Sequence, residues 1–201
     1  MATNEQAAGS RRAGDRYGRV AMVLHWSLAF LILLQIGLGW DMNEWLPDHS
    51  PQQRAVEGVH ISVGLTILLL VLVRIVWRLI HRPPPLPAGM PAWEKALAGA
   101  SHFLFYLLLL ALPLTGWAMV SMHAGAGISF WGLPWPQLPG MAHLGGSNPK
   151  PLRGALQLVH TNLLIWIILL NLALHVAGAV KHQFDGRPVL WRMWPWAGRV
   201  G

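Results

Sequence analysis

The 201-residue sequence has no cysteine, so disulfides, thiolate zinc or iron–sulfur sites and covalently attached c-type haem are excluded. Charge is nearly as scarce. Asp, Glu, Lys and Arg make up 11% of the chain, against about 25% in a typical soluble domain. So few charges cannot cover a water-facing surface. The 54% apolar content and mean hydropathy of +0.41 agree, and the soluble classes drop out. Intrinsic disorder is excluded too, because it needs high charge and low hydrophobicity. Acids number eight, fewer than the ten histidines. The chemistry of a membrane protein so composed is expected to rest on histidine.

What is present is four apolar runs, each long enough for a hydrocarbon core that takes about 20 helical residues. They cover about 20–40, 60–80, 102–122 and 160–180. Leu, Ile, Val and Ala fill them without alternation, which predicts spanning helices and not barrel strands. The expected fold is an all-α integral membrane four-helix bundle. Pro and Gly gather in the connections, at Arg82-Pro83-Pro84-Pro85-Leu86-Pro87 and between Ala124 and Pro151, and Pro113 is expected to kink the third span. The first span is expected to stay in the chain, because its apolar run exceeds a signal h-region and Gly39-Trp40-Asp41-Met42 follows it.

Basic residues set the expected orientation. Arg11, Arg12, Arg16 and Arg19 precede the first span, and Arg74, Arg78, Arg82 and Lys95 lie at or between the facing ends of spans two and three. Lys181, Arg187, Arg192 and Arg199 follow the fourth. Only Arg54, Lys150 and Arg153 fall on the opposite side, which also carries Asp41, Glu44, Asp48 and Glu57. The positive-inside rule therefore puts both termini in the cytoplasm. The high pI reflects this topology and anionic lipid; no basic stripe for nucleic acid is visible.

Ionisable groups inside a membrane are costly and so point to function. Sorted by depth, His60 and His160 form an outer pair, and His25 and His175 an inner pair. The fifteen residues from His160 to His175 rise about 22 Å along a helix, with both side chains near one face. Two stacked macrocycles in a core about 30 Å thick want a spacing of that order. A single interfacial histidine is as well read as a headgroup or helix–helix hydrogen bonder; four that pair by depth are not. A histidine-lined metal transporter would add midplane carboxylates, and the central parts of the spans have none. Methionine pairs by depth nowhere, so bis-histidine haem b fits best. His182, seven residues past His175, continues the stripe outward. His102 opens span three, where it caps a helix, binds a propionate or serves a quinone site. His49, His81, His123 and His143 are read as solvated.

Several stretches resemble one family in order along the chain. Tyr17 through Leu24-His25-Trp26 comes first, then His60-Ile61-Ser62-Val63-Gly64 and Arg74-Ile75-Val76-Trp77-Arg78. The His102-to-Tyr106 spacing and Leu112-Pro113-Leu114-Thr115-Gly116-Trp117 follow, then His175 to Lys181-His182 and Trp191-Arg192-Met193-Trp194-Pro195. Together they resemble the bacterial cytochrome b561 family, in the four-helix, di-haem form that includes superoxide oxidase. The resemblance implies two noncovalent haem b groups in the bundle core, one on His25 and His175 and the other on His60 and His160. It also implies fourteen residues between the two ligands of the last helix, where this chain has fifteen; a π-bulge would absorb the extra one. Arg74 suits a propionate.

On this reading 1–16 is a flexible basic tail, 17–185 the di-haem domain, and 186–201 a cytoplasmic Trp- and Arg-rich interfacial tail. The expected function is superoxide oxidase of the bacterial inner membrane, taking electrons from periplasmic superoxide to ubiquinone, with His182 at the quinone and no catalytic residue assigned. The alternative is a cytochrome b carrier fed by a periplasmic protein or partner dehydrogenase. The outer surface supports both: 123–159 holds no acid but has Lys150 and Arg153, whereas four acids flank the first outer loop.

Overall fold

Leu-, Ile- and Val-rich runs without polar interruption leave the backbone nothing to bond but itself, and each run becomes a helix. The computed structural model describes residues 16–87, 89–122, 127–144, 148–187 and 189–194. Helix α1 spans Arg19–Trp40 and continues as a π-helical segment, Asp41–Trp45. Helices α2 and α3 span Pro51–Ile80 and Ala92–Ser121. A small antiparallel hairpin follows, β1 (Ile128–Phe130) with β2 (Leu133–Trp135), then the short α4 (Met141–Leu144). The fourth membrane helix has three parts: α5 (Lys150–Leu158), a π-helical segment (Val159–Leu164) and α6 (Ile165–Phe184). A last turn, α7, covers Leu190–Met193. Residues 1–15, with Arg11 and Arg12, lie outside the described residues, as do His123, Pro195, Trp196 and Arg199.

Four helices are long and apolar enough to cross a membrane, and the all-α membrane bundle expected from the sequence is what forms. Three of them begin well before their apolar runs, at Pro51, Ala92 and Lys150 instead of about 60, 102 and 160. An apolar run marks what lipid solvates, whereas a helix extends until a backbone signal stops it. For α2 that signal is Ser50, whose Oγ accepts from Gln53 N at 3.0 Å, with Pro51 in the first turn. His60, His102 and His160 therefore sit well inside helices. The capping role open to His102 is excluded, because Pro91 precedes the first residue of α3. Helix α3 runs unbroken through Pro113.

Consecutive helices pack, α1 on α2 and α2 on α3, and the fourth helix packs on α3. Among the described residues no comparable packing joins the fourth helix to α1 or α2, so that side of the bundle is held apart. At mid-height Leu28, Val63, Ile67, Val71, Leu108 and Ile168 close it as one buried apolar layer. Large apolar side chains such as Phe30, Leu33, Phe103 and Trp166 face outward, as lipid contact requires. The hairpin closes one end of the bundle. Its two-residue turn, Trp131-Gly132, has φ of 51° and 87°, the left-handed pair that a tight hairpin demands. Trp131 donates from N to Ser62 Oγ at 3.1 Å and from Nε1 to Thr66 Oγ1 at 3.0 Å, which ties the hairpin to α2.

The other end is where the described chain starts and stops, at Arg16 and Trp194. There α7 docks back on the bundle: Tyr17 N donates to Arg192 O at 3.2 Å and Trp26 Nε1 to Met193 O at 2.7 Å. The Arg192 side chain is buried and donates to Pro85 O at 2.7 Å. The tryptophans that the sequence reading places in an interfacial belt are thus partly tied to α1, with Trp194 edge-on to Trp26 at 5.9 Å.

Candidate functional site

At the end with the termini, α1 supplies His25 and α6 supplies His175, with ring centroids 6.3 Å apart. Trp26 meets His25 edge-on at 5.4 Å, and Phe105 meets His175 at 5.2 Å. His102 lies 5.5 Å from the His175 ring, anchored by its neighbour Ser101, whose Oγ donates to Asn171 Oδ1 at 2.9 Å. Arg74 reaches in from α2 and donates to Ala21 O at 3.1 Å; its charge acts on His25, His102 and His175 alike. Arg78, one turn on, lies over the Tyr106 ring at 5.8 Å. The structure thus brings His102 and Arg74 to the inner pair.

At the hairpin end, α2 supplies His60 and the π-helical segment supplies His160, again with centroids 6.3 Å apart. The π-segment falls where the extra residue between His160 and His175 has to be absorbed, and it leaves His160 facing inward. Two glycines make room for the rings. A Cβ on Gly39 would lie 3.4 Å from His60 Cε1, and one on Gly116 only 3.2 Å from His160 Cε1. Gln35 Nε2 donates to His60 O at 3.0 Å. Thr115 Oγ1 stands 2.9 Å from His160 Nδ1, whereas His60 Nδ1 is buried with no hydrogen-bond partner. A cavity of about 350 Å³ opens here, lined by both histidines with Gln35, Gly64, Leu109 and Ile165.

The donor set decides what these pairs can hold. A metal–imidazole bond of about 2 Å, plus about 1 Å from nitrogen to ring centre, puts two rings about 6 Å apart across one shared ion. Both pairs have that separation. Each nevertheless offers only two donors, and no group of three or more His, Cys, Asp or Glu suited to an ion exists among the described residues. An ion held between such a pair must bring its remaining ligands with it, as the iron of a porphyrin does. The glycine cradle, the cavity and the orphaned His60 nitrogen fit a planar macrocycle gripped from both faces.

A third cluster lies beyond the inner pair. Glu94, in the first turn of α3 and 7% exposed, accepts from Lys181 Nζ at 2.8 Å and Arg187 Nη1 at 3.3 Å. His182 Nδ1 lies 4.0 Å from Glu94 Oε2 and is itself buried without a hydrogen bond. Lys181 also bonds Asp185, and that bond holds the Asp185 carboxyl below its usual value. His49, His81 and His143 are exposed, and His81 stacks on Trp77 at 3.8 Å.

The sequence reading passed over Glu94, Gln35 and the role of the two glycines. Glu94 had a signal, being the one acid between Glu57 and Asp185 in a chain poor in acids. Gly39 and Gly116 had none, since a close approach of two helices is not written in either one.

Residues 16–196 match a protein family described as prokaryotic cytochrome b561. The chain is 30% identical to cytochrome b561 homolog 2 of Escherichia coli over 172 residues, 85% of this chain and 86% of that one. It is 28% identical to the probable superoxide oxidase CybB of Yersinia pestis, covering 84% and 89%. With cytochrome b562 of Cereibacter sphaeroides it shares 36% identity over 50% of this chain and 66% of the relative.

Proposed function

The chain belongs to the prokaryotic cytochrome b561 family of haem b membrane electron-transfer proteins, and from that premise we propose that it is a superoxide oxidase carrying electrons from superoxide to ubiquinone. The observation that carries the two-site reading is the equal 6.3 Å separation of two histidine pairs at opposite ends of one bundle. His25 and His175 hold one haem b, and His60 and His160 hold the other. A haem held by either pair would supply a one-electron carrier at that end of the bundle.

The rest of the chain sets direction and access. Nine of the twelve basic residues among the described ones flank the end away from the hairpin, and by the positive-inside rule that end lies in the cytoplasm and the hairpin in the periplasm of a bacterial inner membrane. On the periplasmic side α5 presents Lys150 and Arg153 to an anion. On the cytoplasmic side Arg74 stands where a carboxylate such as a propionate would be neutralised. His182 serves the quinone. Its imidazole is of a type that can hand on a proton, and Glu94 Oε2 stands 4.0 Å from Nδ1. The balance is two superoxide, one ubiquinone and two protons to two dioxygen and one ubiquinol. The similarity to a probable superoxide oxidase of Yersinia pestis supports this substrate.

One observation favours a second reading, a carrier fed by a periplasmic protein or partner dehydrogenase. Glu44, Asp48 and Glu57 are exposed together at the hairpin end, with Asp41 half-buried beside them, and such a patch suits a basic partner better than an anion. A pulse of superoxide onto the purified protein with ubiquinone separates the two. Superoxide oxidase predicts haem reduction and ubiquinol formation well above a control in which superoxide is removed first. Reduction no faster than that control leaves the carrier reading.

A further inference from the structure

In a dry membrane span a threonine hydroxyl usually bonds back to its own helix. Thr115 does so, with Oγ1 at 2.8 Å from Ala111 O and 2.9 Å from Leu112 O. The hydroxyl has one proton, and one of those carbonyls takes it. The face of Oγ1 turned to His160 is then a lone pair, for which His160 Nδ1 at 2.9 Å would be the donor, with the Leu112 carbonyl a backbone partner of the same ring. A neutral imidazole with its proton on Nδ1 has its free lone pair on Nε2.

We propose that Thr115 is a positioning residue for the hairpin-end haem: its hydroxyl fixes His160 as the Nδ1–H tautomer, aims Nε2 inward and makes that nitrogen a stronger donor. The inference rests on the assignment of His60 and His160 to one haem. Acceptors behind a ligating histidine set both ring orientation and ligand basicity. Here the acceptor is itself bonded to a helix carbonyl, so the ring is tied through Oγ1 to the backbone of α3.

Two features explain why this ring needs an external hold. His160 stands in a π-helical segment, where the backbone has departed from regular helix geometry. Its other side is bounded by Gly116, one residue after Thr115, where a Cβ would stand 3.2 Å from the ring and crowd it. One turn of α3 therefore supplies both the space and the tether. His60 Nδ1 has no hydrogen-bond partner of this kind. The two ligands of this site are unequal, and His160 is the one the protein orients.

The test uses the full chain, purified with its haem, as the parent and as Thr115→Val, Thr115→Ser and His160→Ala. Haem content is measured by pyridine haemochrome, each haem's midpoint by optical redox titration, and ligand character by low-temperature EPR of the oxidised form. Valine keeps the shape and removes the side-chain acceptor, leaving the Leu112 carbonyl in place. Thr115→Val should keep both haems, with one midpoint raised and one EPR signal altered, while the other haem titrates as in the parent. Thr115→Ser should restore the parent values. Loss of one haem in Thr115→Val with retention in Thr115→Ser would support the same hold in a stronger form. Parent-like midpoints and EPR in Thr115→Val, or equal disturbance by valine and serine, would overturn it. His160→Ala should lose one haem; retention of both would instead sink the haem assignment on which the inference stands.

Discussion

At the end with the termini, His25 and His175 stand among Arg74, His102, Trp26 and Phe105. At the hairpin end, His60 and His160 stand among glycines, a threonine and a glutamine, and among the described residues no Lys or Arg lines their cavity. The ring separation is the same and the electrostatics are not. Positive charge beside a redox centre favours its reduced form, because net charge and burial are among the levers that set potential. The arginine-flanked site is therefore built as the better electron acceptor. On the proposed orientation, with that end in the cytoplasm, this would favour flow inward, toward the proposed quinone.

The comparison can be broken at several points. The largest effect is expected at Glu94, which has no counterpart at the hairpin end. Glu94→Gln keeps Lys181 paired with Asp185 but removes the charge facing His182, and it should slow ubiquinone-linked haem reoxidation by about tenfold or more. Stopped-flow reoxidation reads this, and an unchanged rate with haem content intact would remove His182 and Glu94 from proton delivery. Next comes Arg74. Arg74→Gln should lower the midpoint of one haem and leave the other in place, as read by redox titration; equal shifts in both would erase the asymmetry.

At the hairpin end the sensitive feature is space. Gly116→Ala puts a Cβ 3.2 Å from His160 Cε1. The crowding should weaken retention of that haem by about 1 kcal/mol, seen as earlier haem release on heating. The smallest effect concerns the docked tail. Trp26→Phe removes the bond to Met193 O and should cost about 1 kcal/mol or less. It should disturb the spectrum of the termini-end haem only, through the ring that packs on His25.

Much of this was legible because membranes impose strong rules. Apolar length announced the four spans, and scarcity of ionisable groups made each buried histidine informative. Pairing by depth put His25 near His175 and His60 near His160 before any coordinates. The fifteen-residue interval on the last helix asked for a local irregularity, and the π-helical segment at Val159–Leu164 is one. Helix starts were misplaced because hydropathy measures lipid contact, whereas Ser50 caps the Gln53 N–H and Pro51 brings a preset φ with no N–H to satisfy. That error put His102 at a helix end when it lies inside α3 against His175. Glu94 and Gly116 were missed for another reason. Their meaning comes from what a different helix places opposite them, and no local pattern carries that.

The central claim is that two histidine pairs, one at each end, hold one haem each. The direct measurement is the haem-to-protein ratio, by pyridine haemochrome, for the parent and for alanine at His25, His60, His160 and His175. The account predicts two haem b in the parent and one in each variant, with His25 and His175 losing the same spectral band and His60 and His160 the other. A single haem in the parent, a variant that keeps both, or partners that lose different bands would contradict it.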